Sequence, residues 1–482
     1  MATEIDPGPF LIRAKQVADA INESLKRKSS FLVISHHDTD GISAASILGA
    51  ALTRAKARFT IRIVEELRED VLDAIAQTHP DVIIFSDIGS GYLDLIKSKT
   101  PAKITIILDH HPPNLENPDP IMQLNPHDFN IDGARLISAA GVSYLVAREI
   151  SEKNKDLSAV GIVGALGDMQ DKNDKRALIG LNNILVQDGI SSGSIGVDSD
   201  LVLYGRETRP LHRALAFTTT PFLPNLSGRE DNCLTLLSTN GIRIKDGERF
   251  RTVSDLTQDE KTRILDGIIA YLASIGFPTN VVMDLVGTVY TLTSEAPGGP
   301  TRDAREYAAL LNACGRTGNP AIGVAVGLGD RRTALPEASE VVTNYRRTLA
   351  NYMEWLTKSP QAIQKFNTIW VIRGENHILD SMTGAFSSII SSAGTLSQDQ
   401  AIIVLTKSRE GGIKLSARAP PRLLKAGVNL GTALTLVSKK YSGFGGGHNV
   451  AAGAHIIVDD PTEFLQELDS TIQSQMKNHD VS

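Results

Sequence analysis

One repeated feature restricts the fold of this chain more than any other: a short, largely apolar run that stops abruptly in aspartate and histidine. Phe31-Leu32-Val33-Ile34 runs into His36-His37-Asp38-Thr39-Asp40-Gly41. Asp81-Val82-Ile83-Ile84-Phe85 runs into Ser86-Asp87-Ile88-Gly89, and Ile104 to Leu108 runs into Asp109-His110-His111-Pro112-Pro113. Short runs without polar alternation read as strands covered on both faces, as in a parallel sheet. Between them lie stretches of helical composition, such as Ile42 to Ala55. A helix over 9–28 is predicted from Phe10, Leu11, Ala14, Val17, Ala18 and Ile21, which fall near a 3.6-residue period. Further helices are expected over 133–150 and over 158–167, the latter ending at Gly167-Asp168. Strand, polar turn and helix in repetition predict an α/β fold with a mostly parallel sheet.

In such sheets ligands bind beyond the carboxyl ends of the strands, and that is where the polar residues stand. Asp38, Asp40, Asp87 and Asp168 would repel one another if they met, and unpaired buried carboxylates are costly unless cations neutralise them. Carboxylate and imidazole donors without thiolate suit manganese, magnesium or cobalt. The donors suffice for two ions sharing one carboxylate, an arrangement that activates water for in-line displacement at phosphorus. Taken singly, Asp87 or Asp168 also reads as a turn or helix cap. His37 reads as a structural neighbour, and His79 and His127 as ordinary surface or turn residues. The combined turns favour the metal reading.

The charge balance bears on partners. Forty-nine basic residues against 55 acidic give −6, which excludes a generally basic protein that coats nucleic acid. Residues 401–450 differ: eight Lys or Arg and one Glu give a local +7. That segregation is the footprint expected of a phosphate-backbone groove, a solvated basic face being the plainer account. Gly443-Phe444-Gly445-Gly446-Gly447-His448 follows without the Gly-Lys-Ser/Thr ending of a nucleotide loop. It reads as a loop whose glycines admit a close phosphate, with His448 as donor and Phe444 as a stacking surface. Arg373 is a weaker groove candidate. Cys233 and Cys314 are too few for a thiolate zinc site and read as buried small side chains. The opening residues lack the pattern of an export signal, and no run of about 18 apolar residues is free of charge, so a cytoplasmic protein without a membrane partner is expected.

The middle of the chain has a different texture. Thr257 and Glu260 form a capping-box pair before a helix over 263–275, 281–291 contains strand-like segments, and a long connecting helix is expected over 336–357. Strands are expected at 368–372, 401–405 and 451–458, with another where Ile413, Leu415 and Ala417 alternate with Lys414, Ser416 and Arg418.

The four acidic motifs and the Gly443–His448 stretch together resemble the DHH phosphoesterase superfamily with its associated DHHA1 domain. Within it, the chain is similar to archaeal RecJ-like nucleases, including those associated with the GINS replication complex. The resemblance implies a DHH core over 1–190, an elaboration over 191–345, a connector helix over 346–365 and a smaller mixed α/β DHHA1 domain over 366–482. It implies a manganese-dependent exonuclease for single-stranded DNA, and RNA as well, with two Mn2+ that Mg2+ or Co2+ could replace. Carried over residue by residue, His36, Asp38 and Asp87 would bind one ion and Asp40, Asp87, His110 and Asp168 the other, with Asp87 bridging. His111 would contact the scissile phosphate. His448 with Gly445, Gly446 and Gly447 would grip the substrate, and Arg418, Lys414, Arg373 and Phe444 would line its path. GINS-type replication proteins are the partners it suggests. Bacterial RecJ has aspartate where this chain has His36, which brings the chain nearer to the archaeal and small-substrate branches. Two alternatives stay open: a phosphodiesterase or phosphatase for short oligoribonucleotides, cyclic dinucleotides or adenosine bisphosphate, and a non-catalytic replication scaffold.

Overall fold

The computed structural model describes residues 6–100, 102–114, 119–218, 221–393, 396, 399–409 and 411–479. The chain divides into two compact units, Met1–Val342 and Thr343–Ser482.

The first unit is built on a five-stranded sheet. Its strands are β1 (Ser30–His36), β2 (Arg58–Val64), β3 (Val82–Ser86), β4 (Ile104–Leu108) and β5 (Met122–Leu124), in the order β2-β1-β3-β4-β5. Every neighbouring pair is parallel. The unbroken apolar runs follow from burial on both faces. Val33, Ile84 and Ile106 face a core shared with the helices Gly8–Lys26, Thr39–Arg54, Ala139–Ile150 and Ser158–Gly167. Ile34, Phe85 and Ile107 face the helices Glu69–Ala76 and Leu93–Lys99. Register then fixes where the turns fall. Ser35 lies opposite Ser86, Ser86 opposite Leu108, and Leu108 opposite Leu124. The residues that follow, His36, Asp87 and Asp109, therefore emerge at one level of one sheet edge.

Two strands have no clear signal in the sequence. β2 is an edge strand whose Arg58, Thr60 and Arg62 interrupt the apolar pattern, and β5 has only three residues. The helix expected over 133–150 begins at Ala139, because Ser138 caps it by accepting from the Gly141 amide at 3.2 Å. Residues 133–138 form the approach to it.

The middle region has its own core, in which Leu215, Cys233, Leu237, Ile264, Ile268 and Leu272 meet. Cys233 and Cys314 are both buried. The Thr257–Glu260 capping box is present, but the helix it starts runs over Gln258–Ser274, a turn earlier than expected. The stretch 281–291 is strand only in its second half, where Val286–Leu292 pairs antiparallel with Ile195–Leu201.

The helix Ala334–Lys358 carries the chain into the second unit. There a six-stranded mixed sheet has the order Ile363–Lys365, Ile369–Arg373, Ala401–Lys407, Ile413–Arg418, Ala451–Ile456, Phe444–Gly447. The glycine-rich run expected as a loop is thus an edge strand. Its glycines let it lie against the helix Leu430–Ser438: a Cβ on Gly445 would come within 2.8 Å of the Leu434 carbonyl oxygen. Among the described residues no helix is long and apolar enough to cross a membrane.

Candidate metal centre

Each acidic turn is held by its own backbone chemistry. Asp38 caps the helix Thr39–Arg54, its Oδ1 accepting from the Gly41 amide at 3.0 Å. Gly41 cannot be larger, since a Cβ would sit 2.3 Å from the His36 carbonyl oxygen. Asp40, one turn into that helix, accepts from the Ala139 and Ala140 amides at 2.7 and 3.0 Å, at the start of another helix. Asp87 follows β3 with φ of +56°, a conformation aspartate tolerates better than most residues. Asp168 caps the end of the helix Ser158–Gly167.

These side chains converge. His36 Nδ1 lies 3.0 Å from Asp38 Oδ2 and 3.5 Å from Asp87 Oδ2. His110 Nε2 lies 3.5 Å from Asp87 Oδ1 and 3.8 Å from Asp40 Oδ2, and its Nδ1 is 3.8 Å from Asp168 Oδ2. His111 Nδ1 lies 3.9 Å from Asp87 Oδ1. Three overlapping groups bring their donor atoms within 4.8 Å of one another: His36 with Asp38 and Asp87, Asp40 with His110 and Asp168, and Asp87 with His110 and His111.

The electrostatics are those of crowded carboxylates. Burial, with Asp87 alongside, pushes the Asp40 carboxyl up to about 7. Burial pushes Asp168 up to about 6, and burial and Asp38 raise Asp87. Burial works against the charge of His36, yet Asp38 and Asp87 lift it to about 10. Burial opposes the charge of His110 too, but Asp168, Asp87 and Asp40 raise it well above its ordinary value.

One observation separates this centre from a set of turn caps. Both carboxylate oxygens of Asp87 are buried without a hydrogen-bond partner, and His36 Nδ1 shares that condition despite its short separation from Asp38. Nearly all buried polar atoms in folded proteins are satisfied. Here a carboxylate that is 2 % exposed sits near other carboxylates with neither oxygen hydrogen-bonded, its nearest imidazoles standing 3.5 Å away. A divalent cation ligated by oxygen and imidazole resolves both the repulsion and the missing partners. The donor set fits such an ion.

Residues outside the ligand set drawn from the sequence orient these ligands. Asp109 Oδ1 accepts from the His110 and His111 amides and from His111 Nδ1, at 2.8, 3.2 and 2.8 Å, while Oδ2 accepts from the Ser90 amide. Burial would raise the Asp109 carboxyl, but the charge and hydrogen bond of His111 hold it low. The Gly133 carbonyl accepts from both His110 Nδ1 and Gln170 Nε2, at 2.8 and 2.9 Å. Gln170 also donates to Asp168 Oδ2 at 3.1 Å and is held in turn by Asn182. The His110 bond directs Nε2 toward Asp40 and Asp87. Gln170, two residues after Asp168, carries no sequence signal, because only the fold brings it to Gly133.

The substrate-residue candidates lie in the second unit. Lys414, Ser416 and Arg418 alternate onto one face of the sheet, beside His455, Gly453 and Ala451 of the next strand, with Phe444 and Gly446 beyond. His448 is exposed and its amide donates to the Ala451 carbonyl. Phe444 is half exposed, its ring 5.5 Å from that of His455. Arg418 bonds Ser388 and the carbonyls of Gly384 and Ala417. Arg373 reaches Asp460 and Thr462. The local +7 is smaller in three dimensions than along the chain, because Arg409, Arg422 and Lys440 pair with Asp380, Asp399 and Glu467 from outside the segment.

Known proteins agree with this architecture. Residues 30–165 match the DHH family, N-terminal domain, residues 203–286 the DHH-CID domain, and residues 379–474 the DHHA1 domain. An uncharacterised protein of Methanocaldococcus jannaschii is 32% identical over 474 residues, covering 96% of this chain and 98% of that one. The chain belongs to the DHH/DHHA1 phosphoesterase superfamily. Among solved structures, RecJ of Thermus thermophilus in complex with Mn2+ shares the fold with a TM-score of 0.58 at 16% identity. The match covers 96% of this chain and 55% of that one, so this DHH/DHHA1 protein spans about half the length of that RecJ. CDC45 of Entamoeba histolytica shares the fold with a TM-score of 0.63 at 12% identity, covering 96% and 99% of the two chains. Fold and ligand clusters together are those of a metal-dependent hydrolase.

Proposed function

We propose that this DHH/DHHA1 protein is a manganese-dependent exonuclease that hydrolyses single-stranded nucleic acid to mononucleotides. The carrying observation is the buried Asp87 carboxylate, common to two of the three ligand groups, with neither oxygen hydrogen-bonded and imidazoles no nearer than 3.5 Å. His36, Asp38 and Asp87 would hold one ion, and Asp40, Asp87, His110 and Asp168 a second, with Asp87 common to both. Bound divalent ions supply Lewis-acid chemistry there, neutralising phosphate charge and making water nucleophilic at neutral pH.

The chain's own residues do the rest. Burial would lower the pKa of His111, but Asp109, anchoring it through Nδ1, raises it. His111 is 42 % exposed at its side chain, so it can present a protonated Nε2 to a non-bridging phosphate oxygen. The face carrying Lys414, Arg418, Phe444, Gly446 and His448 would bind the strand, with Gly445 and Gly447 shaping it and Arg373 steadying its border.

A second reading keeps the same centre but takes a very short substrate. It is favoured by the internal pairing of Arg409, Arg422 and Lys440, which reduces the charge available to a long strand. Digestion of end-labelled DNA and RNA single strands with Mn2+, against a dinucleotide, separates the two. Processing of the long strands supports the exonuclease, and turnover of the dinucleotide alone supports the second reading. Binding without cleavage at every Mn2+ concentration overturns both and leaves a scaffold.

A further inference from the structure

The ligands of the metal centre are held by different means. Asp38 accepts from the Gly41 amide, and Asp40 from the amides of Ala139 and Ala140. Asp168 has no such amide. Its side chain is 32 % exposed, and it stands at the C-terminal end of the helix Ser158–Gly167, whose dipole repels a carboxylate. Among the described residues a single group donates to that carboxylate: Gln170 Nε2, at 3.1 Å.

The same nitrogen donates to the Gly133 carbonyl at 2.9 Å. A carbonyl and a carboxylate only accept, so the Gln170 amide must face them with its nitrogen. Its Oε1 is then turned to Asn182, whose Nδ2 donates to it at 2.6 Å. Gln170 and Asn182 are both buried. With both N–H groups and the oxygen engaged, the amide has one orientation. The backbone brings Gln170 to this place. The Met169 amide donates to the Leu166 carbonyl and the Gln170 amide to the Ala165 carbonyl, at 3.1 and 3.0 Å. Met169 between them has φ of +57°. These bonds form the Schellman ending of a helix, which turns the chain back past Asp168. Asn182 is anchored in turn, its amide donating to the Leu136 carbonyl at 2.9 Å.

One carbonyl oxygen thus joins two ligands. His110 Nδ1 bonds the Gly133 oxygen at 2.8 Å, and Gln170 donates both to that oxygen and to Asp168. Gly133 has to be glycine for this, since a Cβ would stand 2.2 Å from the His110 carbonyl oxygen. His110 and Asp168 belong with Asp40 to one ligand group. The group of His36, Asp38 and Asp87 has no hydrogen bond to Gln170, Gly133 or Asn182 among the described residues.

We infer that Gln170 is a positioning residue for one of the two ions alone: it fixes Asp168 against the carbonyl that aims His110, and so sets the affinity for the ion at Asp40, His110 and Asp168 while leaving the ion at His36, Asp38 and Asp87 unaffected. The inference rests on the two-ion reading proposed above. Partners that orient metal ligands contribute roughly 10–100-fold to metal affinity.

The test is Mn2+ uptake by the full chain, followed by electron paramagnetic resonance. The wild type is expected to take up two ions and to give the spectrum of a coupled pair. Gln170→Met, close in length but without N–H donors, should weaken one ion by roughly 10–100-fold and keep the other within about twofold. Its spectrum should be that of an isolated ion where the wild type already shows the pair. Gln170→Asn keeps an amide but is one methylene too short to span Gly133 and Asp168; it stands in, with the same expected result, if Gln170→Met fails to fold. A folded variant that binds both ions as the wild type does, or that weakens both equally, overturns the inference and leaves the two-ion reading standing. A wild type that binds fewer than two Mn2+ overturns that reading and the inference with it.

Discussion

Replacing Asp87 by asparagine should stabilise the metal-free protein and remove its response to manganese. Asparagine is the appropriate substitution because Asp87 sits at φ of +56°, which asparagine tolerates and alanine does not. The carboxylate is buried, with neither oxygen hydrogen-bonded, and Asp38 and Asp40 repel it. A buried unsatisfied group costs ~1–3 kcal/mol, and more when charged. Attraction to His36 and His110, each 3.5 Å away, returns part of that. A net gain of ~1–3 kcal/mol follows for the variant without metal. At about 2 °C per kcal/mol for a unit this large, melting in EDTA should rise by ~2–6 °C. Manganese reverses the order. At 100 times its dissociation constant a ligand adds ~2.7 kcal/mol to the state that binds it, which the wild type gains and the variant does not. Scanning calorimetry in EDTA and in excess Mn2+ reads both signs. If the asparagine variant melts well below wild type in EDTA and both proteins respond alike to manganese, Asp87 is a structural cap and the metal centre has been misread.

The glycines of the edge strand should divide by role. Gly445→Ala drives a Cβ into the Leu434 carbonyl and should unfold the second unit, whereas Gly446→Ala, whose Cβ finds only Thr435 Oγ1 at 4.0 Å, should fold normally and bind single strands at least several-fold more weakly; circular dichroism with strand titration checks both. Manganese affinity should climb between pH 6 and 8, because metal must displace protons from His36, raised to about 10, and from Asp40, raised to about 7. Titration calorimetry in buffers of different ionisation enthalpy should count at least one proton released, and a pH-independent affinity contradicts the assignment. Glu260 receives two hydrogen bonds from Arg251 at 2.7 Å, and these lower its carboxyl from 4.5 to about 2. Its stabilisation is complete above pH 4.5 and fades as pH falls toward 2, so Glu260→Gln should cost ~2–3 kcal/mol at pH 7 and less at pH 4 by urea unfolding.

The sheet and its ligands are legible in the sequence for one shared reason. Central parallel strands are buried on both faces, so Phe31 to Ile34, Val82 to Phe85 and Ile106 to Leu108 carry an unbroken apolar signature, and the residue where it breaks marks the functional edge. β2 escapes because an edge strand has solvent on one side, and its arginines erase the pattern that betrays its neighbours. The glycine run reads as a loop because composition reports what a backbone can do; only contact with Leu434 and Ser438 shows that Gly445 serves a close strand–helix approach. Asp109 stands in plain view within a metal-binding turn, but its task of orienting His111 is set by the direction of that side chain, and Gln170 is invisible, since its partners Gly133 and Asn182 are neighbours only in space. Residues that bear a charge into a turn announce themselves in sequence, and those that aim such a charge do not. The same division explains why crowding at this edge is tolerable. Parallel topology delivers His36, Asp87 and Asp109 to one level whether or not their charges agree, and folding can keep them there only if each carboxylate finds an amide, an imidazole or a cation. Asp40 has amides and Asp109 has amides and His111. Asp87 has no amide, and His36 and His110 stand 3.5 Å away without hydrogen-bonding it; a cation between these groups supplies the closer partner.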